Sequence, residues 1–322
     1  CLQGEFRPMI NLQDLEGQLR EVNKNLKDKY DFIFSLDNDT FRKELTENVG
    51  KLIEMEKFPK EKLSKYKRTV GVDGSNNRSG GAFPHFIEIF QGLAKSTDGN
   101  EVYKNKVYTP TLNDIYEDKN LSQKYLATIE IETALEYINK YDFDYLMMDG
   151  GFIRYKINCL DLFTELRETC EAKNIVLFGV IKDLKTNVIA RSLEIDESIY
   201  DREILFNRLK TGEAVLIRNE INKKFIKDGL GEGFSSAFMR TSKFPGAVGL
   251  DILDTQEKYL EEISNLIYTL TPMSSRGVPL WLDIVDKDVK ITDEILTTLL
   301  EEYLDRDVYE RFFISERDKR TL

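Results

Sequence analysis

Two short stretches restrict what this chain can fold into more than any other feature. Thr69–Asn77 reads TVGVDGSNN and Asp144–Gly151 reads DYLMMDGG. Each is an apolar run of strand character that meets an aspartate and then glycine. Gly74, Ser75 and Asn76 are turn formers, so Asp73 is expected where the first strand stops. Asp149 is expected at the end of the second. With the two strands parallel and adjacent, both carboxylates leave one edge of one sheet. Paired carboxylates on a rigid edge suit a hard divalent cation. A lone Asp-Gly is ordinarily a turn. Its return at the end of a second apolar strand lifts the pair above that reading.

The 322 residues allow one large domain or two modest ones. Hydrophobic residues at 41% and charged residues at 32% supply a sizeable core and a well-solvated surface. There is no apolar run of membrane-spanning length and no charged start followed by an apolar core, so a cytoplasmic protein is expected. Cys1, Cys159 and Cys170 are an odd number without metal-type spacing, which fits a reducing compartment and no structural disulfide. A net charge of −11 argues against a protein coated in positive charge for nucleic-acid binding. It does not exclude a nuclease, whose metal-binding carboxylates are acidic by nature. His85 is the single histidine and sits in FPHFIEIF, which reads as packed or exposed on a strand. A Ser-His-Asp or Cys-His mechanism would have to use it, and nothing around it supports one.

Residues 11–66 read as helical and charged. Leu15, Leu19, Val22 and Leu26 recur at helical spacing, and a second segment from Thr40 through Met55 carries Phe41, Leu45, Val49, Leu52 and Ile53. The pattern predicts an amphipathic arm over residues 1–66, packed on the domain or on a partner. Lys57, Lys60, Lys62, Lys65, Lys67 and Arg68 then form a basic run, either a solvated linker or a phosphate-contacting rim beside the site. Phe86–Phe90 and Val102–Tyr108 are strands joined through Asp98-Gly99-Asn100, so the first strand opens an antiparallel meander of three. Residues 121–140 read as one helix with Ala127, Ile131, Ala134, Leu135 and Ile138 on its apolar face. Glu130 borders that face, while Glu132 and Glu136 turn towards solvent. A helix over roughly 158–173 and a buried strand from Asn174 to Ile181, ending at Lys182, follow the second aspartate. The second half predicts strands at Ala214–Arg218, Phe234–Ser242, Ala247–Leu253 and Val278–Val285. Helices are expected over 256–271 and 292–304, the latter opened by Thr292.

The order strand, strand, strand, helix, strand, helix, strand resembles the ribonuclease H-like fold. In that fold the first and fourth strands lie side by side and parallel. Each carries an acid, with a third acid on the intervening helix; Asp73, Asp149 and Glu130 take those places. The expected architecture is therefore α/β, a mixed sheet flanked by helices over 67–322, with the helical arm in front.

VDGS at 72–75, the helix with Glu130, LMMDGG at 146–151, GVIKD at 179–183 and VPLWLDIVDKDVKIT at 278–292 come in the order of the NurA nuclease family. The chain resembles that family over about 69–305. The resemblance implies a nuclease that degrades DNA ends with Mn²⁺, Mg²⁺ being the alternative. It implies 5′–3′ exonuclease and single-strand endonuclease action by a homodimer. The partner would be a hexameric HerA-type ATPase, in end resection, repair or phage defence. It implies Asp73, Glu130 and Asp149 as the metal-binding catalytic acids, with Glu132 in place of Glu130 if the helix register shifts. Lys182 matches a lysine closing the fifth strand, where it would stabilise charge on the scissile phosphate or position the attacking water. Its other reading is a strand-end lysine reaching solvent. Asp286 matches a further metal ligand. Lys185, Arg191 and Arg240 are candidates for holding the DNA backbone. Gly151 departs from the pattern, since relatives often carry Ser there. Two rivals remain. An actin- or sugar-kinase-like ATPase would show Asp-x-Gly and a later glycine-rich adenosine loop, which this sequence lacks. A nuclease-derived scaffold that no longer cuts is opposed by the presence of all three acids.

Overall fold

In the computed structural model, residues 12–66, 68–113, 118–226 and 228–314 are described. Among them nine strands form one sheet: β1 (Gly50–Glu54), β2 (Thr69–Gly80), β3 (Phe86–Ser96), β4 (Glu101–Tyr108), β5 (Tyr145–Asp149), β6 (Val176–Ile181), β7 (Glu213–Ile217), β8 (Phe234–Arg240) and β9 (Val248–Leu253). Their spatial order is β1-β7-β8-β9-β6-β5-β2-β3-β4. Strands β2, β5 and β6 run parallel to one another, and the other pairings are antiparallel. The segment from β6 to β4 reproduces the expected ribonuclease H-like order, with the three-stranded meander on one flank.

The main helices are α1 (Leu12–Ser35), α2 (Asn38–Asn48), α3 (Leu121–Lys140), α4 (Phe152–Ala172), α5 (Leu260–Leu270), α6 (Leu280–Val289), α7 (Asp293–Tyr303) and α8 (Arg306–Phe312). The unbroken apolar run in β5 is what a strand covered on both faces requires. Leu146 and Met148 pack with Ala127, Ile131 and Ala134 of α3 and with Phe152 and Tyr155 of α4. Tyr145 and Met147 belong to the opposite layer, with Ile263, Leu266 and Ile267 of α5 and Leu282 of α6. Burying side chains of this size contributes about 1.5–3 kcal/mol each, so the central strands are the most strongly fixed part of the sheet. Whatever they carry at their ends is held rigidly.

The structure corrects several expectations. The glycine after Asp73 does not end β2. The strand runs on to Gly80, paired with β3 throughout; only its pairing with β5 stops, at Val72 opposite Met148. Asp73 therefore lies where two strands part, not where one ends. The segment read as a strand at Val278–Val285 is helical from Leu280. Pro279 sits at its N-cap, and Leu282, Val285 and Val289 are buried at helical spacing, a pattern that the compact apolar run VPLWLDIV conceals. Residues 50–54, read as helix, form the edge strand β1 on β7. Helix α4 begins at Phe152, directly after the glycines, and is kinked at Cys159. The basic run precedes β2 at the end remote from Asp73, about 13 Å of strand away. Four of its side chains are occupied: Lys57 and Lys62 lie over the rings of Tyr268 and Phe58, Lys65 pairs with Glu262 and Arg68 with Asp144. It does not rim the site; Lys67 lies outside the described residues. No described helix is long and apolar enough to cross a membrane.

Candidate metal centre

Register brings the two strand aspartates together. Val72 of β2 is opposite Met148 of β5, so the next residues, Asp73 and Asp149, emerge side by side. Helix α6 crosses below β2 and delivers Asp286. One oxygen from each of Asp73, Asp149 and Asp286 lies within 4.8 Å of the others. Asp73 is buried; its Oδ1 accepts from the Gly74 amide at 2.7 Å, and its Oδ2 has no hydrogen-bond donor. Burial, and then the charge of neighbouring Asp149, hold the Asp73 carboxyl well above the usual carboxylate range. A buried carboxylate oxygen without a donor beside two more carboxylates fits a hard cation bound through oxygen, such as Mn²⁺ or Mg²⁺.

Lys182, immediately after β6, donates to Asp149 Oδ2 and lies 3.3 Å from Asp286 Oδ1. Burial works to lower its pKa, but the charge of Asp149 prevails and raises it. Lys182 is thus a fixed cation among three acids.

Glu130, on α3, reaches the same cleft but faces a different partner. Its side chain is 1% exposed. Arg154 makes a bidentate pair with it, Nη1 to Oε2 at 2.7 Å and Nη2 to Oε1 at 2.8 Å, and the Tyr155 hydroxyl donates to Oε2 at 2.7 Å. Burial raises the Glu130 pKa, opposed by Arg154. Gly74 is what lets this carboxylate approach β2: a Cβ there would meet Glu130 Cγ at 2.8 Å. Glu132 is directed elsewhere, 4.0 Å from Lys104 of β4.

The glycines after Asp149 each have a reason. Gly150 has φ +123°, a conformation that other residues rarely adopt, and Arg154 lies over it. Gly151 is the N-cap of α4 and offers no side-chain acceptor; Asp251 Oδ2 accepts from the Phe152 amide at 2.9 Å, one of the first-turn amides that the helix itself leaves unpaired. A Cβ at Gly151 would meet Ile181 at 2.8 Å. Asp251 is itself buried in β9, accepts from Ser236 Oγ at 2.7 Å, and burial pushes its carboxyl up to about 6.

Asp73, Glu130, Asp149, Arg154, Asp251 and Asp286 line one cleft of about 740 Å³, with Gln123, Leu126, Ile153, Ile157 and Asn158 of α3 and α4 and with Lys185 beyond β6. Lys185 is well exposed and close to Asp183. Arg191 and Arg240 are not among the lining residues. Arg191 donates to the Phe225 carbonyl and pairs with Glu197; Arg240 donates to the carbonyls of Leu209, Lys243 and Phe244. His85 is exposed in the turn before β3, near Phe312. Sequence reasoning missed Arg154, Tyr155 and Asp251. A signal existed for two of them: Arg154 is a cation in the first turn of a helix, where the dipole disfavours it, and Asp251 is an acid inside the apolar run VGLDIL.

Sheet order and acid placement make this a ribonuclease H-like protein with a carboxylate centre where β2 and β5 part. The NurA domain family matches residues 67–291, and the chain belongs to that family. The NurA nuclease from Sulfolobus solfataricus has the same fold, at 14% identity and a TM-score of 0.57, with 92% of this chain and 99% of that chain covered. The catalytic domain of human endonuclease V aligns more loosely, at 15% identity and a TM-score of 0.38, over 80% of this chain and 95% of its own. No curated protein matches the sequence significantly.

Proposed function

We propose that this protein is a metal-dependent deoxyribonuclease that hydrolyses phosphodiesters of DNA. One observation carries the reading: the carboxylates of Asp73, Asp149 and Asp286 converge within 4.8 Å in an open cleft, one with a buried oxygen that has no donor. Those three acids would hold the cation, Mn²⁺ by family resemblance. When bound, such an ion supplies Lewis-acid polarisation of a phosphoryl oxygen.

The other groups have tasks that follow from their positions. Lys182 keeps Asp149 and Asp286 oriented and leaves a positive charge beside the place where phosphate charge develops. Leu126, Ile153 and Ile157 give the cleft an apolar wall against which a sugar or base can lie, and Lys185, also in its lining, is the candidate backbone contact. The family resemblance supports action at DNA ends in 5′–3′ and single-strand modes, as a homodimer with a HerA-type ATPase, in repair or phage defence.

Labelled single- and double-stranded DNA, incubated with and without Mn²⁺, tests the activity. Cleavage should require the metal and stop in excess chelator. Asp149→Asn should abolish it while the protein stays folded by circular dichroism. Cleavage persisting in chelator, or at the wild-type rate in that variant, would overturn the reading. ATP hydrolysis without DNA cleavage would favour the kinase-like rival.

A further inference from the structure

Beyond Asp73, β2 continues to Gly80 and carries further polar side chains past the metal centre. Register places Arg78 of β2, Glu88 of β3 and Tyr108 of β4 in one row across the sheet. Gly74 shares their face by alternation, and it looks onto Glu130 and Leu126 of α3, so the row also faces α3. With Phe83, Phe86 and Ser122 it lines a cavity of about 210 Å³ at the start of that helix. We propose that this cavity seats one base of the DNA strand held at the metal centre, and that it takes a base with an exocyclic amino group in preference to thymine. The inference rests on the nuclease reading above and adds a recognition site to it.

Glu88 supplies the recognition. It is 5% exposed. Its Oε1 accepts from Asn76 Nδ2 at 2.5 Å and from Ser122 Oγ at 2.8 Å, which fixes the carboxylate, while no described residue donates to Oε2. A buried acceptor in a cavity wall favours a ligand that brings a donor. Carboxylates accept from the N4 amino group of cytosine, and adenine and guanine also carry amino groups; thymine presents carbonyl oxygens, which a carboxylate repels. Arg78 supplies a stacking surface. Its guanidinium lies 4.6 Å from the centre of the Phe86 ring, and no described carboxylate pairs with it. Arg78 is exposed, which leaves its planar head able to stack on a base and its N–H groups able to reach a phosphate oxygen. Lys119, exposed on the same rim, is a second cation.

The cavity adjoins the metal cleft. Gln123 and Leu126 line the cleft, and Leu121 and Ser122 line the cavity, on neighbouring turns of α3. From Asp73 to Arg78 is about 17 Å along the strand. That spans about five nucleotides of a stacked strand at about 3.4 Å each, and fewer of an extended one. A base seated here would anchor a single strand that an acidic chain otherwise holds weakly, and would set its register at the metal centre.

The test compares full-length wild type, Glu88→Gln and Arg78→Ala on labelled oligo(dC) and oligo(dT) of equal length. Affinity is read by fluorescence anisotropy in chelator, and kcat/KM in Mn²⁺. The wild type should bind oligo(dC) about tenfold more tightly than oligo(dT), the size of one hydrogen bond to a charged group, with the same order in kcat/KM. Glu88→Gln keeps the shape and the Oε1 acceptor but replaces Oε2 with an N–H donor. The preference should fall to within about twofold or reverse, because the charge-assisted acceptor is gone. Arg78→Ala should weaken both oligonucleotides about tenfold, as loss of one stacked base does. Arg78 is exposed, so that variant folds whether or not Glu88→Gln does, and the wild-type ratio is decisive by itself. Equal affinity of the wild type for the two oligonucleotides, an unchanged preference in folded Glu88→Gln, or wild-type binding by Arg78→Ala would each overturn the proposal and leave Mn²⁺-dependent cleavage standing. A wild type that neither binds nor cuts either oligonucleotide would instead bring down the nuclease reading, and this assignment with it.

Discussion

Asp73 is a carboxyl held where water scarcely reaches it, beside a second carboxylate, and without a cation that arrangement opposes ionisation. Burial first, and then Asp149, raise its pKa in the folded protein. A group whose folded pKa lies above its unfolded value, about 4 for Asp, binds its proton more tightly when folded. Its contribution is full below the unfolded value and is lost as pH rises through the folded one. Melts in chelator should therefore show stability falling from pH 5 towards pH 8. Asp73→Asn, a neutral isostere, should melt several degrees above wild type at pH 8 and close to it at pH 5. The same variant should lose cleavage and the Mn²⁺-induced rise in melting temperature. A variant that melts below wild type at pH 8 would show that the acid is not strained in the metal-free fold. Burial raises the Asp251 carboxyl as well, to about 6, but both its oxygens have donors. Asp251→Ala leaves the Phe152 amide and the Ser236 hydroxyl without that acceptor. It should cost about 2–3 kcal/mol, read as a lower melting temperature in chelator as well as in Mn²⁺.

At the scale of elements, α6 decides whether the centre is complete, because it alone brings Asp286. Its seat on the sheet depends on Gly71 of β2. A Cβ at that position would lie 3.0 Å from Val285 Cγ2 and 3.2 Å from Trp281. Gly71→Ala should push the helix outwards at a cost of about 1–3 kcal/mol and weaken Mn²⁺ binding, although residue 71 touches no ligand. Unchanged metal affinity in a destabilised Gly71→Ala protein would separate Asp286 from the centre. This helix was also the element least legible in the sequence. VPLWLDIV is short and apolar nearly throughout, so neither a period of two nor one of 3.6 stands out, and the choice is made by the sheet it crosses. Edge strand β1 was hidden for the same reason, since Leu52 and Ile53 pair with β7 residues far along the chain. What could be read locally was read: the strands around Asp73 and Asp149, the helix carrying Glu130, and Thr292 capping α7, where its Oγ1 accepts from the Ile295 amide at 3.2 Å. The apolar run before each aspartate and the glycine after it mark the site, although only Asp149 ends its strand and β2 runs on past Asp73 to Gly80. The Arg154–Glu130–Tyr155 cluster joins two helices and leaves no spacing to recognise.

At the scale of the whole molecule, α1 is the part that the domain does not use. Its last turns are anchored: Ile33 is buried, and Arg208 donates to the Leu36 carbonyl at 2.8 Å. The turns before them present Leu12, Leu15, Leu19, Val22 and Leu26 to solvent, with Leu19 59% and Leu26 51% exposed. This stripe repeats every three to four residues along one face, the pattern of a helix that packs against another. An exposed apolar face of this length is a feature of proteins that associate. The net charge of −11 points the same way: DNA affinity comes mainly from neutralised phosphates and falls steeply with salt, so a lone acidic chain should hold duplex DNA weakly. A homodimer associated with a ring-shaped HerA-type ATPase would supply that grip, and α1 is the candidate contact. Leu19→Glu together with Leu26→Glu should leave the melting temperature within a degree or two of wild type, because neither side chain contributes to the core. The double variant should sediment as a monomer or fail to co-purify with the ATPase. It should keep Mn²⁺-dependent cleavage of short single strands and lose the ATP-dependent stimulation on duplex ends. A wild-type monomer that degrades long duplex DNA at physiological salt, indifferent to ATP and the ATPase, would refute this account of the partner; an unchanged dimer and complex in the double variant would move the contact away from α1.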